Sequence, residues 1–456
     1  MENEPESFRF RIIQTVWLFY GFFLIGFNNG ILGPTLIDLQ ILVQVEMNLI
    51  TYIFFVAGAG FIMGILLCFV AERYCSLRVV LAVSIGLGSV VNIVLTLSSS
   101  YVYLMILFFL QGCTKGIADY AIMTVCNSLW KDSKGVSFQF VALGGGIASF
   151  LAPFIAEPFL AGKHSVSYSQ ATVDHPIYTL QRGHYVSSPY GTVICTNYTL
   201  TGEPSCYTYG ETQVQGAYII IGILSVPPAI AFAYYYYFER RKGVIPYEEF
   251  NRVSFGTFHK GSVLYLSLLF LFHIPIFGLC LAYGDLLSPF GVEGKLQLNK
   301  SKMATMTSLF WGSFLLGRVA NLVLSRYLNL FALLLMNFAG LLISVIVLVV
   351  VGEKREDVLW IGTSILGVFA ATYLPTVLAW SDQFMPVTGS VISTCLVASG
   401  IGEILIPFIG GKLFDSEGPG SLMTLMLVTV VYEIAAFVGL VIVGNFIRQK
   451  TDNRDC

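Results

Sequence analysis

Apolar runs of about 20 residues follow one another along the whole chain, separated by short polar breaks. A helix of that length rises about 30 Å, the thickness of a bilayer's hydrocarbon core, so each run is long enough to cross a membrane. Twelve runs are present, at about 12–35, 47–70, 78–98, 101–126, 136–160, 215–238, 261–286, 302–324, 329–351, 358–380, 386–410 and 421–446. The predicted fold class is an all-α polytopic membrane protein of twelve transmembrane helices. Charge content agrees: Asp, Glu, Lys and Arg make up 11% of the 456 residues, against about 25% in a soluble domain. The net charge of −2 gives no electrostatic footprint for nucleic acid. The first run is too long for a signal-peptide core and no small-residue cleavage site follows it, so it reads as a retained first span.

Two breaks are long. Residues 161–214 are polar with few charges, and residues 239–260 begin ERRKG and divide the spans six and six. The short turns that carry Arg73 and Arg78, Lys131 and Lys134, and Arg318 and Arg326 fall on one side, together with the basic carboxy-terminal tail. The excess of Lys and Arg on cytoplasmic loops makes that side, and both termini, cytoplasmic. Residues 161–214 are then outside. There Asn197-Tyr198-Thr199 is a glycosylation sequon, and Cys195 and Cys206 are close enough in sequence to staple the segment in an oxidising compartment.

The halves echo each other. GGGIASFLAPFIAEPF at 144–159 lies over ASGIGEILIPFIGGKL at 398–413, with Pro153 opposite Pro407, and Glu72-Arg73-Tyr74 lies over Ser325-Arg326-Tyr327 at nearly the same offset. The expected organisation is a six-helix half at 1–238 that includes the outer segment 161–214, a cytoplasmic linker at 239–260 and a second six-helix half at 261–456. That parallel repeat is the architecture of alternating-access transporters, which bind substrate near the midplane between the halves.

Polar residues at that depth are the candidates. Lys115 and Asp119 lie four apart on one face of the fourth run, and each costs roughly 3 kcal/mol there if ionised. They read either as a mutual structural pair or as binding and gating groups. Asn29 in span one and Gln111 in span four offer amides that donate and accept, as a polyhydroxylated neutral solute requires, with Gln139 at the start of span five. Span seven supplies His273, Tyr283 and Asp285; Trp311 and Tyr373 offer flat faces to a sugar ring, while Trp380 competes as a lipid-interface anchor. Asp119 and Glu403 are the candidate cation or proton groups. Asp38, near the outer end of span one, is less burdened. No metal-ligand pattern, P-loop, HExxH or GxSxG motif is present, so the chain is read as no enzyme and as needing no cofactor beyond a coupling Na+ or H+.

ILGPTLIDL at 31–39, SLWKDS at 128–133, FLAPFIAEPFL at 150–160, LFWGSFLLGR at 309–318, ATYLPTVLAW at 371–380 and GEILIPFIGG at 402–411 carry a resemblance. The chain resembles the major facilitator superfamily, and within it the branch of sodium-dependent glucose transporter 1 and the MFSD4-like proteins. The resemblance implies hexose transport, facilitative or sodium-coupled, at the plasma membrane. VAERYCSLR at 70–78 is similar to the superfamily's cytoplasmic motif, which makes Glu72 and Arg73, with Arg318 and Arg326 in the second half, gating residues. The branch's span-four signature is Asp-Thr-Gly-Ala-Asn; here ADYAIMTVCN retains Asp119 and departs at Tyr120 and Ala121. The expected function is a secondary transporter of a hexose-like solute, working as a monomer in the bilayer. The alternatives are a proton-coupled carrier of an organic anion or other metabolite drawn by Lys115, and a non-transporting receptor or scaffold.

Overall fold

The computed structural model describes residues 8–130, 134–166, 185–188, 191–196, 205–242, 260–371, 373–385 and 389–455. Every apolar run of the sequence coincides with helix. In the first part these are α1 (Phe8–Val43), a single turn α2 (Met47–Ile50), α3 (Tyr52–Ala71), α4 (Leu77–Val94), α5 (Tyr101–Leu129) and α6 (Lys134–Ala156). After a sheet come α7 (Val214–Leu224) and α8 (Val226–Lys242). The second part holds α9 (Lys260–Glu293), α10 (Lys300–Leu324), α11 (Leu330–Val347), α12 (Glu356–Ala370), α13 (Tyr373–Ser381), α14 (Gly389–Glu417) and α15 (Ser421–Asp455). Among the described residues, 10 helical stretches are long and apolar enough to span a bilayer. The runs at 302–324 and 358–380 fall outside that set: α10 carries Lys300, Lys302 and Arg318, and the second run is divided between α12 and α13.

The segment 161–214, expected only as a polar loop, contains a four-stranded antiparallel sheet of order β1-β4-β3-β2. Its strands are β1 (Lys163–Val166), β2 (Tyr185–Ser188), β3 (Gly191–Thr196) and β4 (Ser205–Tyr209). The register sets Cys195 directly opposite Cys206. Val, Ile, Tyr and Thr alternating between turn residues favour this hairpin geometry, a period-2 pattern too short to stand out beside the apolar runs.

The helix pairing repeats along the chain. α1 packs on α6 and α9 packs on α14, while α3 packs on α5 and α10 on α12. Glycine makes the first two crossings close: a Cβ on Gly26 would stand 2.1 Å from the Gly145 carbonyl oxygen, and one on Gly278 would stand 2.3 Å from that of Gly402. Lipid tails are as apolar as the side chains, so close packing of backbones supplies much of the attraction between such helices. Contacts of α1 with α9, α3 with α14 and α6 with α10 join the first part of the chain to the second.

Prolines shape the interior helices. Pro275 removes the amide that would bind the Leu271 carbonyl, and the Tyr432 hydroxyl on α15 donates to that oxygen instead, at 3.1 Å.

A Cβ at Gly402 would fall 1.5 Å from the Ile274 carbonyl oxygen, whereas one at Gly439 meets only Leu268 at 4.0 Å. Gly402→Ala is therefore expected to lower the thermal midpoint of the detergent-solubilised protein by the equivalent of about 1–3 kcal/mol. Gly439→Ala, measured alongside, should leave it nearly unchanged.

Candidate functional site

α1, α3, α5 and α14 converge around the Lys115 ammonium. Its Nζ donates to Asn29 Oδ1 on α1 at 2.6 Å, lies 3.8 Å from Glu403 Oε2 on α14 and sits 5.0 Å above the Phe61 ring of α3. The sequence leaves open a mutual Lys115–Asp119 pair; among the described residues the ion pair of Lys115 is with Glu403. One helical turn separates Lys115 from Asp119, but Glu403 reaches the ammonium from across the bundle. Asp119 remains within electrostatic range of Lys115, and so does Asp285 on α9. One ammonium thus has a carboxylate partner in Glu403 and two further carboxyls, Asp119 and Asp285, within electrostatic range.

Gln111, a turn earlier on α5, is buried. Its Nε2 donates to Asn28 Oδ1 at 2.9 Å and to Asn92 Oδ1 on α4 at 2.7 Å. The predicted hydroxyl-binding amide therefore has its donor group committed to holding α1, α4 and α5 together. Asn92 was not singled out in the sequence, where it is one polar residue in an apolar run.

The span-seven candidates are dispersed. His273 is buried beside its own helix, with Nδ1 2.6 Å from the Leu269 carbonyl and the ring edge-on to Phe272. The Tyr283 hydroxyl lies 2.7 Å from Thr363 Oγ1 on α12, and its ring packs on Phe310. Trp311 packs against Phe310 and Phe314 with a buried Nε1 that has no partner, beside Gly284. Trp380, weighed as a lipid anchor, is buried against Phe331, Phe384 and Phe437, because α13 turns its aromatic face inward. The side chains of Gln139 and Tyr373, and those of Cys195 and Cys206, lie outside the described residues, as does Asn197.

Of the predicted gating residues, Glu72 accepts from the Tyr120 hydroxyl at 3.2 Å, the Arg73 guanidinium, in the turn after α3, lies over Phe69 of that helix, and that of Arg318 lies over Phe314 of its own helix. Arg326 is exposed in the turn after α10.

A second polar assembly closes the end of the bundle that carries the sheet. Asp38, expected to be lightly burdened at a helix end, is 0% exposed. Its Oδ1 accepts from the Ala161 amide at 2.7 Å and the Thr212 hydroxyl at 2.8 Å, and its Oδ2 pairs with Lys300 Nζ at 2.7 Å. Lys300 also lies over the Tyr209 ring of β4. Lys163 of β1 donates to Val292 O and Gln297 Oε1, both at 2.7 Å, and burial pushes its ammonium down to about 8. Nearby, Glu157 accepts from Ser301, and Lys412 donates to Asn48 while lying over Tyr52. The two ends of the sheet segment fold over Asp38 and remove it from water, an arrangement that no local pattern in the sequence announces. A cavity of about 500 Å³, bordered by Phe290, Lys295, Glu353 and Pro419, lies toward this end and includes none of the predicted residues.

Removing one member of a buried pair strands the other charge, at a cost of about 3–5 kcal/mol. Asp38→Asn is therefore expected to lower the thermal midpoint markedly, and the Asp38→Asn/Lys300→Met double variant to recover part of the loss. Strict additivity of the two single effects in a double-mutant cycle would show that the two groups do not act as a pair.

No family model matches the chain. It is 23% identical over 473 residues to major facilitator superfamily domain-containing protein 4B of Danio rerio, covering 94% of this chain and 86% of that one. It is 23% identical to sodium-dependent glucose transporter 1 of Homo sapiens, over 90% of this chain and 77% of that one. Among solved structures, a POT family transporter in complex with 5-aminolevulinic acid matches with a TM-score of 0.63 at 12% identity, covering 94% of this chain and 96% of that one. A bacterial homolog of the human lysosomal transporter Spinster matches with a TM-score of 0.61 at 10% identity, over 97% and 99%. The human relative and both solved structures are named as transporters. The chain is an all-α polytopic membrane protein with the fold of the major facilitator transporters, and the branch that its sequence resembles is that of sodium-dependent glucose transporter 1 and the MFSD4 proteins.

Proposed function

We propose that this secondary transporter moves a hexose-like neutral solute by alternating access, with a sodium gradient as the driving force. In this reading residues 1–238 and 261–456 are the two rocking halves, both termini are cytoplasmic, and the protein works as a monomer in the plasma membrane. The sheet then faces outward, where Cys195 and Cys206 form a disulfide and Asn197 carries a glycan.

The observation that carries the proposal is the position of Lys115, held by Asn29 on α1 and by Glu403 on α14. An ammonium bridging the first and second parts of the chain at a span's centre stabilises one arrangement of the two, and a solute that displaces it changes which arrangement is favoured. Asn29, with the unpartnered indole N–H of Trp311, offers the neutral donors and acceptors that sugar hydroxyls use. The relative named sodium-dependent glucose transporter 1 supports both solute and ion. The organic-anion reading is disfavoured by Asp119, Asp285 and Glu403, three carboxyls within electrostatic range of the Lys115 ammonium that would draw an anion.

Proteoliposomes containing the purified chain, tested with labelled hexoses and organic anions under separate sodium and proton gradients, decide the matter. Saturable hexose uptake that accelerates under an inward sodium gradient is expected. Folded protein that takes up no hexose would overturn the reading, and hexose accumulation driven only by protons would overturn its sodium form. Lys115→Gln should lower uptake by more than roughly tenfold, which corresponds to about 1.4 kcal/mol. Unchanged uptake and coupling in folded Asp119→Asn would remove Asp119 from the mechanism.

A further inference from the structure

Between the Lys115–Glu403 pair and the sealed end lies a carboxyl that is in electrostatic range of Lys115 but, among the described residues, in no ion pair of either assembly. Asp285, near the end of α9, is 4% exposed, and its Oδ1 is buried without a hydrogen-bond partner. Among the described residues no cation lies within 4 Å of it. A bare carboxylate in such surroundings costs several kcal/mol, more than most single interactions in a fold return. A neutralising partner at Asp285 would offset that cost.

We infer that Asp285 is the residue on which the coupling cation, a proton or a sodium ion, docks between the sealed end and the Lys115–Glu403 pair. The inference rests on the carrier reading above.

Three observations point the same way. First, the surroundings offer oxygen. Ser288, one turn further along α9, is fully buried with an Oγ that has no partner. Pro289 has no N–H, so the Asp285 backbone carbonyl loses the amide that would bind it four residues on. A carboxylate, a hydroxyl and a released carbonyl are the hard donors that a sodium ion takes, and the carboxylate alone suffices for a proton.

Second, Asp285 connects the two assemblies. The ionisable groups within its electrostatic reach are Lys115 on α5, Glu403 on α14 and Tyr218 on α7, and Tyr218 also feels Asp38. The Tyr218 hydroxyl lies 3.1 Å from Thr35 Oγ1. α1 and α10, which also pack on α9, bring Gly33 and the Trp311 ring to Gly284 and Asp285. Asp285 thus has Tyr218 on the side of the sealed end and Lys115 with Glu403 on the other.

Third, the electrostatics link ion to solute. A cation on Asp285 repels the Lys115 ammonium and favours its seat on Asn29 and Glu403, as seen here. Its release leaves Asp285 to attract Lys115, which frees Asn29.

The test uses the purified full-length chain in detergent without solute. Wild type, Asp285→Asn and the smaller neutral Asp285→Ser are compared for radioactive sodium binding and for the pH dependence of tryptophan fluorescence, with thermal melts reporting folding. Both variants replace a costly buried carboxyl with a neutral group and are expected to melt no lower than wild type. Saturable sodium binding that falls roughly tenfold or more in the folded variants supports the inference with sodium as the ion. A fluorescence titration present in wild type and absent from the variants supports it with the proton. A folded variant that matches wild type in both measurements overturns it, and hexose uptake retained in that variant would leave the carrier reading standing. Loss of cation binding in a protein whose wild type moves no hexose supports the Asp285 site and removes the hexose reading instead.

Discussion

The placing of Lys115, half-buried within a span, is the constraint on which the rest of the interior depends. An ammonium near the middle of a membrane helix is tolerated only when neighbouring helices supply acceptors, and here they come from α1 and α14, which belong to different parts of the chain. The Phe61 ring of α3 completes the setting. Gln111, a turn away, performs the same service for α1 and α4. One face of α5 thus specifies where four other helices stand, and apolar packing, which lipid can match, has no comparable power to select an arrangement.

The surplus of carboxyls gives the interior its character. Asp119, Asp285 and Glu403 lie within range of Lys115, so the cluster accepts further positive charge more readily than negative. In the proposed reading, that asymmetry is what would separate a cation-coupled carrier of neutral solutes from a carrier of anions. It follows from the count and sign of the groups and needs no particular rotamer. The sealed end uses opposite charge differently: Asp38 has its oxygens taken by an amide, a hydroxyl and an ammonium, which suits a lock better than an ion relay.

The helices were legible in the sequence because apolar length is a local property. Each run met a helix, and the glycine and proline pattern at 144–159 and 398–413 marked α6 and α14, which do pack in matching ways against α1 and α9. The polar stripe of α5 was legible for the same reason. Its partners were not. Spacing of four joined Lys115 to Asp119 on paper, but whether Glu403 or Asp119 sits closer depends on how α14 crosses the bundle, and that is fixed by contacts such as Gly402 against Ile274, remote in sequence. His273 stood among the pathway candidates because its type was visible and its surroundings were not. Asp38 misled in the opposite direction: a helix end suggests access to water, and only the folding of residues 161 and 212 over it removes that access. The sheet itself was hidden by the apolar runs on either side, beside which a short alternation of Val, Ile, Tyr and Thr carries little signal.

The two hydrogen bonds that Asp38 accepts from Ala161 and Thr212 pinch the base of the sheet segment into a closed ring of chain. A ring held at its neck transmits little of its own length to the body it hangs from, and the entropy of the enclosed chain grows only with the logarithm of its size. The neck and the bundle are thereby under different rules. A change of length between β2 and β3 leaves these ties in place, whereas Ala161, Thr212 and Asp38, with Lys163 and Tyr209 beside them, have no such latitude.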